Sequence, residues 1–107
     1  MKLARTFQLT RFSADVVRAA VAELPEEGRS LLFCRVDNRD GGWEFDELEE
    51  WYSTYQRGSS YAHVNIVARP EDTGTSSVDF IQYRNYCEVS IRMPERAGVL
   101  KAMSIFE

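Results

Sequence analysis

Three strand patterns follow one another in the C-terminal half of the chain, with no helical pattern between them. Residues 61–69, 78–83 and 86–93 each alternate apolar and polar side chains, as half-buried strands do. A crossover between parallel strands needs a dozen or more residues, and the polar segment 70–77 is too short to supply one. The chain therefore favours an antiparallel sheet over a doubly wound parallel fold.

Two more strand patterns lie in the N-terminal half, one on each side of a helical pattern. Residues 3–10 alternate, and Ser13 then provides an N-cap for the first helix. The near-continuous apolar run from Leu31 to Val36 is typical of a strand that is covered on both faces, so we expect it at the centre of the sheet. The segment 37–42 contains Asp40-Gly41-Gly42 and is predicted to be a loop.

Two further helical patterns complete the predicted order β-α-β-α-β-β-β-α. Asp46 and Glu49 have the spacing of a capping box, and Gly58 provides a stop, which predicts a helix over Asp46–Arg57. A last helix is expected over Glu95–Glu107. The predicted fold is α+β, with a mostly antiparallel sheet of about five strands and three helices packed on one face. The 107 residues suit a single domain spanning the whole chain.

Composition argues against several classes of protein. The net charge of −4 has the wrong sign for holding phosphate backbones, so we expect no nucleic-acid partner. No apolar run approaches the ~20 residues needed to cross a bilayer, so we expect no membrane association and a cytoplasmic location. Cys34 and Cys87 lie in strand-like apolar runs and are expected to be reduced core residues, with a disulfide between neighbouring strands as the alternative.

Residues suited to catalysis are few. His63 is the only histidine, and no recognisable nucleophile motif accompanies it; no glycine-rich phosphate loop occurs. Asp40 and Glu47 fit positions of a calcium loop, but Val36 would occupy the first ligand position and cannot coordinate a cation. We therefore expect no enzyme activity, no cofactor and no metal.

An acidic and aromatic stretch before the second helix is the best candidate for partner binding. Aromatic side chains rimmed by charge are common in protein interfaces. The residues that we assign to partner binding are Asp37, Arg39, Asp40, Trp43, Glu44 and Phe45.

The last helix has an apolar stripe and no terminator. Val99, Leu100, Met103 and Phe106 share one face, and no Gly, Asn or Pro ends the helix. We expect the chain to be an N-terminal module of a longer protein. We also expect Met103 and Phe106 to be incompletely covered and to support self-association, with a homodimer as the commonest closed solution.

These observations favour a non-catalytic recognition or regulatory domain that contacts another protein or another domain of its own chain. The alternative is a free-standing acidic inhibitor or immunity-type protein that neutralises a basic partner, for which charge complementarity would speed association. A third possibility is a small-ligand sensor, which would need an apolar pocket between the sheet and the helices.

Overall fold

The computed structural model describes all residues from Met1 to Glu107. Six strands form one sheet in the order β1-β6-β5-β4-β2-β3, and every neighbouring pair is antiparallel. The α+β prediction is confirmed, with one strand more than expected because the predicted loop after β2 contains the short strand β3. The elements are β1 (Lys2–Phe7), α1 (Ala14–Val21), β2 (Arg29–Asn38), β3 (Gly41–Glu44), α2 (Leu48–Arg57), β4 (Tyr61–Ala68), β5 (Ser76–Gln82), β6 (Cys87–Arg92) and α3 (Arg96–Ser104).

All three helices cover the same face of this sheet. A single core of 25 residues lies between the sheet and the helices. It consists of every second residue of the strands, the buried faces of α1, α2 and α3, and a few buried residues beside these elements. Because side chains alternate between the two faces of a strand, the residues between them form a second face that no helix covers. We call this second face the uncovered face.

Helix α1 begins as the sequence predicts, but α2 does not. The Ser13 side chain accepts a hydrogen bond from the backbone N–H of Val16 and caps α1. Helix α2 starts at Leu48 after Glu47, whose side chain makes no capping hydrogen bond, so the predicted capping box is wrong. The Phe45 N–H donates to Cys34 O at 2.9 Å, and this bond extends the strand pairing past β3 and delays the helix. The predicted stop at Gly58 is confirmed.

Strand β2 is not covered on both faces, and this prediction is wrong. It lies between β4 and the four-residue edge strand β3, with helices on one face only. Leu32 is 52% exposed and Phe33 42% exposed. The near-continuous apolar run thus reflects an irregular strand with an exposed apolar segment rather than a central strand buried between two layers.

The core is held together by aromatic side chains around Trp51. This fully buried indole stacks on Tyr55 at 4.8 Å between ring centroids, and its Nε1–H donates to Arg35 O at 3.0 Å. The Tyr55 hydroxyl donates to Phe12 O at 2.8 Å and accepts from the Phe12 N–H at 3.2 Å. Phe80, from the middle of β5, contacts both Trp51 and Tyr55 edge-on.

Cys34 and Cys87 are both buried and free, as predicted. Strands β4 and β5 lie between β2 and β6, so the two cysteines stand three strand spacings apart, roughly 14 Å. A disulfide requires Cα atoms within ~7 Å, which excludes the alternative of a bond between them. Burial raises the pKa of Cys34 to about 12 and that of Cys87 to about 11.

The end of α3 also differs from the prediction. Met103 is 1% exposed and Phe106 5% exposed, so the expectation that these residues are incompletely covered is wrong. The helix tightens after Ser104 into i→i+3 hydrogen bonds, including Phe106 N–H to Met103 O at 3.0 Å. This turn places the Phe106 ring against Phe12 and Phe80. Met103 and Phe106 therefore present almost no exposed apolar surface for the expected self-association.

The two tryptophans provide a test of the core. Trp51→Ala should lower the free energy of unfolding by roughly 3–5 kcal/mol, because it removes a fully buried ring and leaves a cavity. Trp43→Ala is the matched control and should change it by less than ~0.5 kcal/mol, because that side chain is 49% exposed. Urea unfolding followed by circular dichroism measures both. Equal losses would show that Trp51 is not the core anchor.

Alkaline pH should destabilise the fold through four buried groups. Burial raises the pKa of the two thiols from 9.0, and that of Tyr52 and Tyr55 from 10.0 to about 12. The unfolded chain therefore releases these protons first, so stability is complete below pH ~9 and falls as the pH rises towards 12. The free energy of unfolding in urea should be about 4–6 kcal/mol lower at pH 10.5 than at pH 8. The Cys34→Ala/Cys87→Ala variant should show a smaller fall, and no fall in the parent would contradict the burial of these groups.

A comparison within α3 tests the corrected position of its last turn. Phe106→Ala should cost roughly 3–5 kcal/mol of unfolding free energy, since its ring packs in the core. Leu100→Ala should change stability by less than ~0.5 kcal/mol, because Leu100 is 45% exposed. Thermal or urea unfolding of the two variants decides the matter. A Phe106 variant as stable as the parent would restore the case for an exposed apolar end.

Candidate functional site

Exposed large apolar side chains are concentrated on the β2–β3 hairpin. Only five occur in the whole chain: two are Met1 and Leu100, and the other three are Leu32, Phe33 and Trp43. Single exposed apolar side chains are normal on protein surfaces, so the adjacent pair Leu32 and Phe33 is the more informative part of this set.

A bulge in β2 accounts for the exposure of Leu32. Leu31 pairs with Ile66 and Phe33 pairs with Asn65, so Leu32 is an extra residue without a partner on β4. Leu31 still packs against the core, as does Cys34 two residues after Leu32. The inserted residue therefore lets both ends of β2 contact the helices while Leu32 and Phe33 remain outside the core.

The same part of β2 has a free backbone edge. Strand β3 pairs only with Arg35–Asn38, and the hydrogen bond from Phe45 to Cys34 O closes the pairing. Before Cys34, β2 pairs with β4 on one side and with no strand on the other. An open depression of about 280 Å³ lies along this edge, lined by Leu31, Leu32, Phe33, Cys34, Glu44, Phe45 and Asp46. We call it the β2 groove.

The rim of the β2 groove is acidic. Glu44 and Asp46 line the groove, and no cation lines it with them. The nearby Arg35 donates to the Asp37 carboxylate at 2.8 Å and lies 3.6 Å from Glu44, so one guanidinium faces two carboxylates, and Asp46 forms no ion pair within the chain. A basic side chain on a partner would therefore meet carboxylates here.

Nucleophilic chemistry in the groove is disfavoured. Burial, with a further contribution from Asp46, raises the pKa of the Cys34 thiol to about 12, so the thiolate is scarcely populated near neutral pH. His63 lies on the uncovered face with its Nε2 2.6 Å from Asp79 Oδ1, and the Phe33 ring packs on the imidazole at 4.6 Å. The contacts of this imidazole within the chain are thus an ion pair with Asp79 and a ring contact with Phe33.

The predicted partner-binding residues all lie on the β2–β3 hairpin or directly after it, but they do not share one surface. Asp37 and Glu44 flank Arg35 on the uncovered face. Trp43 pairs with Val36 and therefore belongs to the opposite face, where its Nε1–H is 3.4 Å from Asn38 Oδ1.

The other three predicted residues are divided between a turn and the core. Arg39 and Asp40 lie in the exposed turn and line a separate polar depression beside the end of α2. Phe45 is partly buried against the core and also lines the β2 groove. Leu32 and Phe33 were not among the predicted partner-binding residues, because their apolar run is equally typical of a buried strand.

No group of three or more His, Cys, Asp or Glu side chains is arranged to hold a metal ion. The longest helix has ten residues, and none of the helices has the length and apolar character needed to span a bilayer.

No family model, no curated protein and no solved structure matches this chain. Its function is therefore argued from its own geometry.

Proposed function

We propose that this domain is a non-catalytic recognition module that binds an extended, basic segment of a protein partner in the β2 groove. The partner is another protein or another domain of the same chain. The observation that carries the proposal is the free edge of β2 directly beside the exposed side chains of Leu32 and Phe33.

Backbone pairing supplies the first part of the argument. A free strand edge offers unpaired N–H and C=O groups, and an extended segment can add to it as a further strand. Natural edges are commonly protected by bulges and by lysine side chains. Strand β2 has the bulge, but the side chains that the bulge exposes are apolar, which suits binding better than protection.

Side-chain chemistry supplies the second part. Alternate apolar residues of an added strand would contact Leu32 and Phe33, which removes apolar surface from water at roughly 25 cal/mol per Å². Basic residues at the end of the added segment nearest β3 would approach Glu44 and Asp46, which lie at the end of that strand and directly after it. The net charge of −4 would attract such a segment at longer range.

The acidic inhibitor remains the second candidate function, supported by the acidic rim of the same groove. It differs from the recognition module in its consequence, because binding would abolish the activity of the basic partner. A small-ligand sensor has less support, since the three depressions larger than the β2 groove are open and have at most one hydrophobic lining residue each. We further propose a cytoplasmic location, supported by two buried cysteines that remain unpaired.

Binding can be tested with a blocked hexapeptide of alternating valine and lysine. We expect saturable binding that protects the backbone amides of Leu31–Phe33 from hydrogen exchange, measured by NMR. A peptide with glutamate in place of lysine should bind at least about tenfold more weakly, because it meets the acidic rim. A peptide N-methylated at alternate residues should not bind, because it cannot pair with the strand edge.

Two exposed leucines provide matched variants for this experiment. Leu32→Ser should weaken binding about five- to tenfold through lost apolar contact, whereas Leu100→Ser should leave the affinity unchanged. Both should fold as the parent does, since both side chains are about half exposed. Protection that maps away from β2, or equal effects of the two variants, would refute the proposed site.

A further inference from the structure

A cluster of three tyrosines occupies the uncovered face, at the end that carries the β5–β6 turn. The Tyr83 and Tyr86 rings are stacked, with 4.7 Å between centroids, and Tyr61 meets Tyr83 edge-on at 5.9 Å. All three side chains are half-buried, and none of their hydroxyls forms a hydrogen bond within the chain. We call Tyr61, Tyr83 and Tyr86 the tyrosine cluster.

Hairpin stability explains only part of this cluster. The Tyr83 N–H donates to Tyr86 O at 2.8 Å and closes the turn, and a facing aromatic pair adds to the stability of such a hairpin. Tyr61 belongs to β4 and takes no part in the turn. The stacked pair Tyr83 and Tyr86 is enough to close the hairpin, so the closure of the turn does not explain the third ring, Tyr61.

The surroundings of the tyrosine cluster are acidic. Partial burial raises the pKa of Tyr83, and the negative charges of Glu88 and Asp79 raise it further. Glu88 forms no ion pair, and Asp37 lies opposite Tyr61 in the register of the sheet. Arg84 in the turn does not stack on these rings, because the cation–π contacts of this chain are made by other arginines.

We infer that the tyrosine cluster binds an arginine side chain of a protein partner, with Glu88 as the countercharge. A guanidinium stacks on tyrosine rings and pairs with a carboxylate in the same position. The chain itself shows this preference, since Arg18 lies 4.3 Å from the centre of the Tyr52 ring and also pairs with Glu49. Stacked nucleic-acid bases would also suit the rings, but the surrounding carboxylates would repel their phosphates.

The inference rests on the proposed function, because it names a side chain that the partner presents, but it concerns a different part of the surface. The probe is a blocked glycine–serine peptide with three arginines, and its control replaces each arginine with citrulline, which has the same shape without the charge. NMR of the full chain should show saturable shifts of the ring signals of Tyr61, Tyr83 and Tyr86 with the arginine peptide. The citrulline peptide should bind at least about fivefold more weakly.

Matched variants identify the groups responsible. Glu88→Gln should weaken arginine-peptide binding about fivefold, whereas Glu26→Gln, which removes the same charge from an exposed loop, should change it less than twofold. Tyr83→Phe should keep the affinity, because the ring remains, and Tyr83→Leu should lose about fivefold. Urea unfolding of each variant verifies that it is folded.

Several outcomes would overturn the inference. Equal binding of the arginine and citrulline peptides, equal effects of Glu88→Gln and Glu26→Gln, or stronger binding of a single-stranded oligonucleotide would each do so. Ring shifts absent at millimolar peptide would do the same. The valine–lysine peptide tests the β2 groove separately, so groove binding that persists in Tyr83→Leu would leave the proposed function standing while the tyrosine cluster fails.

Discussion

The contact between α2 and the sheet through Trp51 is the interaction on which the rest of the fold depends. The indole bonds to the backbone of β2 and stacks on Tyr55, and the Tyr55 hydroxyl bonds to both backbone groups of Phe12. The entry to α1, helix α2 and strand β2 are thereby fixed to one another by two side chains. Phe80 in β5 contacts both rings, so the centre of the sheet is included in the same group of contacts. Most of these contacts join residues far apart in sequence, a feature that slows folding.

All three helices pack on one face of the six-stranded sheet. The side chains of the other face therefore have only one another and solvent as partners. They form short-range pairs: His63 with Asp79, Arg35 with Asp37 and Glu44, and aromatic rings in contact. Such pairs stabilise a wet surface without making it apolar. The result is a face whose side chains are held in place by contacts within the chain.

Much of the fold followed from the sequence because the patterns of the last three strands were regular. Val78, Phe80, Val89 and Ile91 alternate without interruption, and the structure buries all four. The structure of the β2 region could not be predicted from its own sequence, because two of its features depend on residues elsewhere in the chain. A bulge changes the face of every residue beyond it, and the number of layers around a strand depends on where the helices pack. The six residues assigned to partner binding remain a prediction, and the structure does not bring them onto one surface, because the short strand β3 directs neighbouring side chains to opposite faces.

The bulge at Leu32 has a consequence for how the fold and its surface could change independently. Without Leu32, Leu31 would be followed by Phe33 and Cys34, and the strand would alternate regularly from Ser30 to Asn38 with its core residues unchanged. The loss of one codon would thus give a straighter strand that keeps its interior and lacks one exposed leucine. Strand β2 corresponds to a regular strand with one residue added. The added residue changes the exposed surface and leaves the core contacts of Leu31 and Cys34 in place.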